Sequence, residues 1–522
     1  MKNDSKKEPD LAQKVINLCS RRGMLVQSGE IYGGMAGFFD YLGYGAQLKK
    51  NVERAWWKKF VESREDIIGI DGAEITHPRT WEASGHAENF ADPLVECGKC
   101  KSKFRADHLL EEELKISVDG LPPQKLQELM QAHKLKCQKC GGELSLLNQF
   151  NLMFKTSVGA GTEAVSAYLR PETAQLIFTN FKTVANTMRC KLPFGMAQIG
   201  KAYRNEISPR NFVFRCREFS QMEIEFFIDG TKLDDCPHAH KYESSKVLVL
   251  TAVEQEKHAA GKGGEAKAQE ETIGELLRKK TIGSKWMACW IGEVLAFLHE
   301  LGIQKENLRL RQHVSTELSH YSKETWDVEY NYPWGWKELI GIAYRTDFDL
   351  KQHAKHSGAN LSIFDQDSGQ TVVPHVIEPS FGLDRLFFTL LLDAYNENSA
   401  TSQAGKDGKE AEGSSILLKL SPKISPVQVA VFPLMKKDGL SEKARAIFES
   451  LRSKFVCQFD SAGSIGKRYA RMDEIGTPYC ITIDYETLEQ GTLTIRERDS
   501  GKQARVAVEG LSERLSELLS GS

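Results

Sequence analysis

No apolar run in the 522 residues is long enough to span a bilayer: the longest, around Leu386 to Leu392, falls well short of the about 20 residues a membrane helix needs. An excess of one charge sign is also missing. Lys and Arg number 69 against 71 Asp and Glu, for a net charge of -2, so nucleic-acid contact must come from local patches rather than a global field. No disulfide framework is visible, since the eleven cysteines are odd in number and mostly scattered; that usage suits a reducing cytoplasm. The opening MKNDSKKEPDLAQ has no apolar core and reads as no secretory signal. Internal repeats are absent. The chain reads as a cytoplasmic globular enzyme with no membrane partner, its 41% hydrophobic and 27% charged residues being ordinary for that class.

The order of segments suggests two units. A helix starts at Asp10, and LKKNVERAWWKKFVES (Leu48 to Ser63) is amphipathic. Mixed strand and helix patterns continue to about residue 395, giving a main domain over 1–395. Within it, 230–285 is polar and reads as a helical insertion with a mobile Gly/Lys-rich tip. Residues 396–420 include NENSATSQAGKDGKEAEGSS, with almost no apolar content, and read as a linker. Strand-helix alternation over 421–522 predicts a separate α/β domain.

Four segments carry chemistry. GMAQIGKAYRNEISPRNFVFRCREFSQMEIEFF (Gly195 to Phe227) is two strands around a charged loop, an arrangement that aims arginines and glutamates into one cleft. CGKC and CQKCGG set Cys97 and Cys100 against Cys137 and Cys140, the paired knuckles of a tetrahedral thiolate site. Such a site, closed by four cysteines, would hold structural Zn²⁺ or be a relic that has lost its metal; 97–140 is then a zinc-type insertion. RPETAQLIF (Arg170 to Phe178) reads, alone, as a capped helix with a surface charge pair. In HVIEPSFGLDRLFFTLL (His375 to Leu391) a strand ends in Glu378 and Arg385 opens an apolar helix. That arginine can reach a phosphate or, more plainly, cap a loop.

Together these strings resemble class II aminoacyl-tRNA synthetases. RNE with FRCREF is similar to their motif 2, GLDR with its apolar helix to motif 3, and GYGAQLKKNVERAWW, without the usual proline, to the dimer-forming motif 1. Within the class, RPETAQ, AQIGKAYRNEISPR, WGWKELIGIAYRTDFDL (Trp334 to Leu350), EPSFGLDR and GSIGKRYARMDEIGTP (Gly463 to Pro478) resemble the homodimeric glycyl-tRNA synthetases over nearly the whole chain. Two rivals are a non-catalytic polymerase accessory subunit, expected to lose Arg204, Arg215 and Arg385, and a sister synthetase for threonine, proline or histidine.

The resemblance implies an α+β fold: an antiparallel class II sheet of six to seven strands flanked by helices, with inserted subdomains and a C-terminal anticodon-binding domain. It implies a homodimer that joins glycine to tRNA(Gly) with ATP and Mg²⁺. Arg204 would hold the α-phosphate and the carboxylate, Arg215 the γ-phosphate and Arg385 the phosphates from the other side. Asn205, Glu206, Phe214, Cys216, Arg217, Glu218 and Phe219 would surround the nucleotide, with Glu206 at the adenine edge and Phe219 stacked on the ring. Glu338 and Leu339 would bind ATP and its metal, and Gly382, Leu383 and Asp384 complete that side. Glycine would be read by Glu172, Glu223 and Glu378, with Phe219, Ser220, Gln221, Met222, Pro379, Phe381 and Gly382 around it. Ser380 would exclude larger side chains, and Arg105 would add a contact. Lys467, Arg468, Tyr469 and Arg471 would meet tRNA.

Overall fold

The computed structural model describes residues 10–114, 118, 121–259, 266–365, 369–398 and 415–521. Its centre is a nine-stranded sheet. The strand order is Gln269–Thr272, Lys246–Leu250, Leu308–Gln312, Glu324–Tyr332, Gly335–Thr346, His375–Gly382, Glu218–Ile228, Phe194–Tyr203 and Ile67–Ile70. Pairing is antiparallel except where Ile67–Ile70 joins Phe194–Tyr203 and Lys246–Leu250 joins Leu308–Gln312. The fold is α+β with an antiparallel-rich sheet, as expected, but larger than six or seven strands.

The two additional edge strands correct the reading of 230–285 as a helical excursion. Lys246–Leu250 and Gln269–Thr272 pair with each other and extend the sheet, with helices Ala252–Ala259 and Ile273–Arg278 beside them. Val247 and Val249 are buried, so KVLVL obeys the two-residue period of a strand. The tip of that segment, 260–265, lies outside the described residues. So does most of the expected linker; its flanks, Tyr395–Asn398 and Ser415–Leu418, pair as an antiparallel ribbon.

One face of the sheet is packed by Lys285–Glu300, a helix apolar on nearly every side and capped by Ser284, whose hydroxyl accepts from the Met287 N–H. Trp56 and Phe60 meet Phe381 on this face. Trp56 belongs to helix Gly43–Trp57, which runs on as a π-helical turn through Lys58–Glu62. On the other face, helix Ala174–Thr187 packs Phe178 and Phe181 against Phe227.

The zinc-type insertion is wider than 97–140. Strands Ala91–Glu96, Lys103–Arg105 and Asn148–Asn151 form a small sheet. Helices Ala106–Leu114 and Pro123–Ala132 cover it, around Val95, Leu109, Leu110, Leu126 and Met130.

The C-terminal unit is the α/β domain expected: Cys457–Phe459, Val429–Pro433 and Tyr479–Ile483 run parallel, and Thr492–Glu497 and Gln503–Ala507 complete the sheet antiparallel. It is not sealed off from the main domain. Leu418, Leu420, Ile424, Val427, Met472 and Ile475 share one apolar cluster with Val52, Trp56 and Leu386. Asn51 also donates from the main domain to the carbonyls of Ile424 and Ser425.

Candidate active site

Because paired residues on neighbouring strands project to the same side, the register writes out the floor of a cavity. One row runs Gln198, Glu223, Ser380, Gly341, Asp327 across five strands. Phe219, Gln221 and Glu223 alternate onto that side, while Met222 and Ile224 turn to the opposite face and are fully buried in the core. The same alternation puts Glu378, Ser380 and Gly382 at the cavity and turns Phe381 toward Trp56 and Phe297. Met222, Pro379 and Phe381 are therefore absent from the cavity wall, contrary to their expected place beside glycine, and Leu383 is likewise a core residue. The cavity encloses about 310 Å³.

Arginines gather at one end. Arg204 donates to the carbonyl of Pro171 at 3.0 Å, and its guanidinium lies 5.3 Å from the ring centres of both Phe90 and Phe219. One face of Phe219 is thus already taken. Arg385 donates to Glu338 at 3.0 Å and to the Phe214 carbonyl at 3.2 Å, with its guanidinium 4.7 Å from the Phe214 ring. Arg215 reaches His108 Nε2 at 3.2 Å and Glu206 at 3.9 Å. Glu206 and Cys216 also line this end.

Three expected nucleotide contacts work elsewhere. Arg217 stitches the loop together, donating to the carbonyls of Glu206 and Ala36; Glu218 pairs with Lys201 at 2.8 Å; Asn205 is absent from the wall. Arg105 is spent on Asp92 and Asp107 and does not line the cavity. Asp384 sits at the edge, but its carboxylate is held by Lys49 at 2.9 Å, Tyr41 at 2.5 Å and the Ser220 N–H. A Cβ at Gly382 would meet only Arg385 atoms at 3.7 Å, so the protein itself does not demand glycine there.

Carboxylates gather at the other end. Glu172 pairs with His86 at 3.1 Å and accepts from Gln175 at 3.0 Å. Glu223 accepts from Ser380 at 2.6 Å, from Gln221 at 2.9 Å and from Thr173. Both oxygens of Glu378 lie 3.0 Å from Arg345 Nη1, and Arg345 also forks onto Asp349 at 2.8 and 2.9 Å. Phe226 pairs with Ile377, which sets Glu225 opposite Glu378. Glu225 is fully buried, and among the described residues neither of its oxygens has a hydrogen-bond partner. One buried guanidinium, bonded to Glu378 and Asp349, stands among five carboxylates, the others being Glu172, Glu223 and Glu225. Burial, then Glu223 and Glu172, push the Glu378 carboxyl up to about 8 against the pull of Arg345. Burial and Glu172 also raise Glu223. Burial alone would raise Glu172 too, but His86 and Arg345 hold it below the usual carboxylate range. This end is short of positive charge.

Sequence reasoning missed His86, Lys49, His313, Tyr321, Asp327 and Arg345. Asp327 lines the cavity and accepts from His313 at 2.8 Å; Tyr321 lies 4.0 Å from the Arg345 guanidinium. The signal lay in ETWDVEY, where acids at Asp327 and Glu329 alternate with Trp326 and Val328 in a strand whose acids are buried too.

Away from the cavity, the sulfurs of Cys97, Cys100, Cys137 and Cys140 lie within 4.8 Å of one another. Cys97 and Cys140 are 3.5 Å apart and Cys100 and Cys137 3.6 Å. A tetrahedral zinc with bonds of about 2.3 Å spaces its sulfurs by about 3.8 Å; the four could hold such an ion.

The expected tRNA face is partly internal. Arg468 is 3% exposed and donates to the carbonyls of Pro433 and Gly463. It is a structural residue, not a surface cation. Arg471 is paired with Asp460, and Tyr469 bonds Thr482 and packs on Phe432. Lys467 is exposed.

No helix among the described residues is long and apolar enough to cross a membrane. Residues 428–518 match the family described as the anticodon binding domain. The chain is 43% identical to the glycine--tRNA ligase of Clostridium acetobutylicum, covering 98% of this chain and 99% of that one. It is 42% identical to those of Treponema denticola, over 95% and 94% of the two chains, and of Thermobifida fusca, over 97% and 98%. With register, cavity charge and near full-length identity in agreement, the chain belongs to the glycine--tRNA ligase family.

Proposed function

We propose that this cavity joins glycine to ATP as glycyl-adenylate and that the chain then passes the glycyl group to the 3′ end of tRNA(Gly). The observation that carries the reading is the division of one cavity into a cationic and an anionic end. A glycine carboxylate oxygen attacks the α-phosphorus, the bond to the β-phosphate oxygen breaks, and pyrophosphate leaves. A terminal ribose hydroxyl of the tRNA then attacks the glycyl carbonyl, AMP leaves, and the hydroxyl proton is released. No protein nucleophile is needed. Arg204 acts on charge that develops at the α-phosphate, and Arg215 and Arg385 hold the outer phosphates. Glu338 and Asp327 present oxygen donors to the cavity and would hold Mg²⁺, which when bound neutralises phosphate charge. Glu172, Glu223 and Glu378 receive the ammonium, which supplies the missing positive charge. Ser380, fixed by its bond to Glu223, stands where a larger amino acid would intrude, so selection is by clash.

Cys97, Cys100, Cys137 and Cys140 hold structural Zn²⁺ in this reading, and the protein is a cytoplasmic homodimer. Free cysteines support the location. A segment with Ile31 at 87% and Tyr32 at 89% exposure, beside Met35, supports the dimer, since such patches mark interfaces. Lys467 remains the exposed tRNA contact of its segment, with Tyr469 and Arg471 behind it.

Pyrophosphate exchange with glycine and ATP titrated separately tests the assignment. Arg204→Ala should lower the exchange rate about 10²–10³-fold, the size of losing one preorganised donor. Glu378→Ala should chiefly raise the KM for glycine, because the ammonium carries its charge before and during the reaction. Near wild-type exchange by Arg204→Ala would remove that arginine from the α-phosphate.

A further inference from the structure

The zinc-type module reaches a cavity residue directly through His108. His108, near the start of helix Ala106–Leu114, meets Arg215 from the hairpin loop at 3.2 Å. A guanidinium has donors only, so the Nε2 that faces it carries no proton and the imidazole is neutral, with its hydrogen on Nδ1. This is a distinctive way to hold an arginine. A carboxylate in the same place would fix Arg215 and also neutralise it, leaving the phosphate to compete for a charge already matched. A neutral acceptor fixes the side chain and leaves its charge available.

We infer that His108 is a positioning residue for ATP: it holds the Arg215 guanidinium toward the outer phosphates as an uncharged hydrogen-bond acceptor. The inference rests on the reading of Arg215 as a phosphate ligand.

The surroundings keep the imidazole neutral. On its own side, Arg105 lies beside it with Asp107, the two paired in a fork. From the loop come Arg215 and Arg210, the latter tied to Glu112 of the same helix at 2.9 Å. Burial first, then Arg105, push His108 down to about 3, with Arg210 and Arg215 adding to the effect and Asp107 opposing it. Among the described residues Arg215 has one ionic partner, Glu206 at 3.9 Å, a distance that fixes no geometry. His108 is the group that orients it.

The test uses pyrophosphate exchange by the full chain, with ATP and glycine titrated separately for His108→Gln, His108→Ala, His108→Glu, Arg215→Ala and the double alanine variant. Gln keeps a neutral acceptor oxygen at similar reach, so its ATP KM should stay within about twofold of wild type. Ala should raise the ATP KM about tenfold, the worth of one hydrogen bond to a charged group, with glycine KM unchanged. Glu should raise the ATP KM at least as much as Ala, although it bonds Arg215 well. The double variant should be no worse than Arg215→Ala alone. A merely packing role predicts instead that Gln and Ala fail alike, or that glycine and ATP constants move together; either result overturns the inference. So does a Glu variant that binds ATP as well as wild type. If Arg215→Ala raises the ATP KM and His108→Ala does not, the phosphate role stands and the inference falls. If Arg215→Ala leaves the ATP KM unchanged, both fall. Should the Ala variant fail to fold, the comparison of Gln with Glu decides the matter.

Discussion

Glu378 is buried and Glu172 partly so in the same pocket, yet their environments drive them apart. Burial and its anionic neighbours raise Glu378 to about 8, while His86 and Arg345 keep Glu172 low. The sign follows directly. Below its raised value Glu378 tends to hold a proton and pulls weakly on an ammonium; above it the carboxylate is free to do so. The KM for glycine should therefore fall as pH rises from about 6.5 to about 8.5, by at most about tenfold per unit, while the KM for ATP stays flat. Exchange assays across that range check it, and a flat glycine KM would place the titrating group elsewhere. The same shift acts on folding: the contribution of a carboxyl with a raised value is present at low pH and lost as pH climbs through about 8. Part of this pocket was readable beforehand through the family resemblance, which carries whole strings and not the two faces of a strand. Glu223, Glu378 and Ser380 could be placed from sequence strings, and Met222 and Phe381 were misplaced by treating a string as a block rather than as two faces. Arg345 was not legible, since its value lies in partners 4 and 33 residues away.

Among elements, the hairpin Phe194–Tyr203 with Glu218–Ile228 was the most legible, having Met222, Ile224 and Phe226 alternating on its second arm and a charged turn. Helix Leu383–Ala394, starting where strand His375–Gly382 ends, was almost as plain. The edge strands of 230–285 were not, because Gln269–Thr272 is the polar run QEET. Its strand form comes from the ladder offered by Lys246–Leu250, and tertiary pairing overrides local preference. The module of 91–151 was legible only by its cysteines. Its helix at Ala106–Leu114 buries just Ala106, Leu109 and Leu110, a small core that would gain from a metal staple. Native mass spectrometry should find one Zn²⁺ per chain, lost together in variants of Cys97 or Cys137. Protein purified without chelator, folded and metal-free, would show the knuckles to be a relic. Through His108, loss of metal should also disturb ATP before glycine.

For the whole molecule, the exposed Ile31 and Tyr32 sit on a segment that also holds the hairpin loop: the Gly37 carbonyl accepts from the Arg217 N–H at 2.8 Å and the Ala36 carbonyl from its side chain at 2.9 Å. Sedimentation equilibrium should give twice the chain mass of 58.6 kDa. Ile31→Asp with Tyr32→Asp should shift the mass toward one chain and slow ATP activation, since covering this segment steadies the loop behind it. A wild-type protein at a single chain mass would refute the pairing. The division into two units was legible from composition, but its depth was not, because no local pattern reveals that Leu420 or Met472 faces another unit's core.

That shared core bears on how the protein is made. A ribosome releases the chain from residue 1 onward, so the catalytic sheet is complete by Gly382 and its last helix by Ala394. The apolar surface near Val52, Trp56 and Leu386 still waits for Leu420, Ile424, Val427, Met472 and Ile475 to cover it. Through the synthesis of roughly the last fifth of the chain, the newborn enzyme exposes a sticky face that only its own tail can close. A chain cut short there should therefore be prone to aggregation or proteolysis.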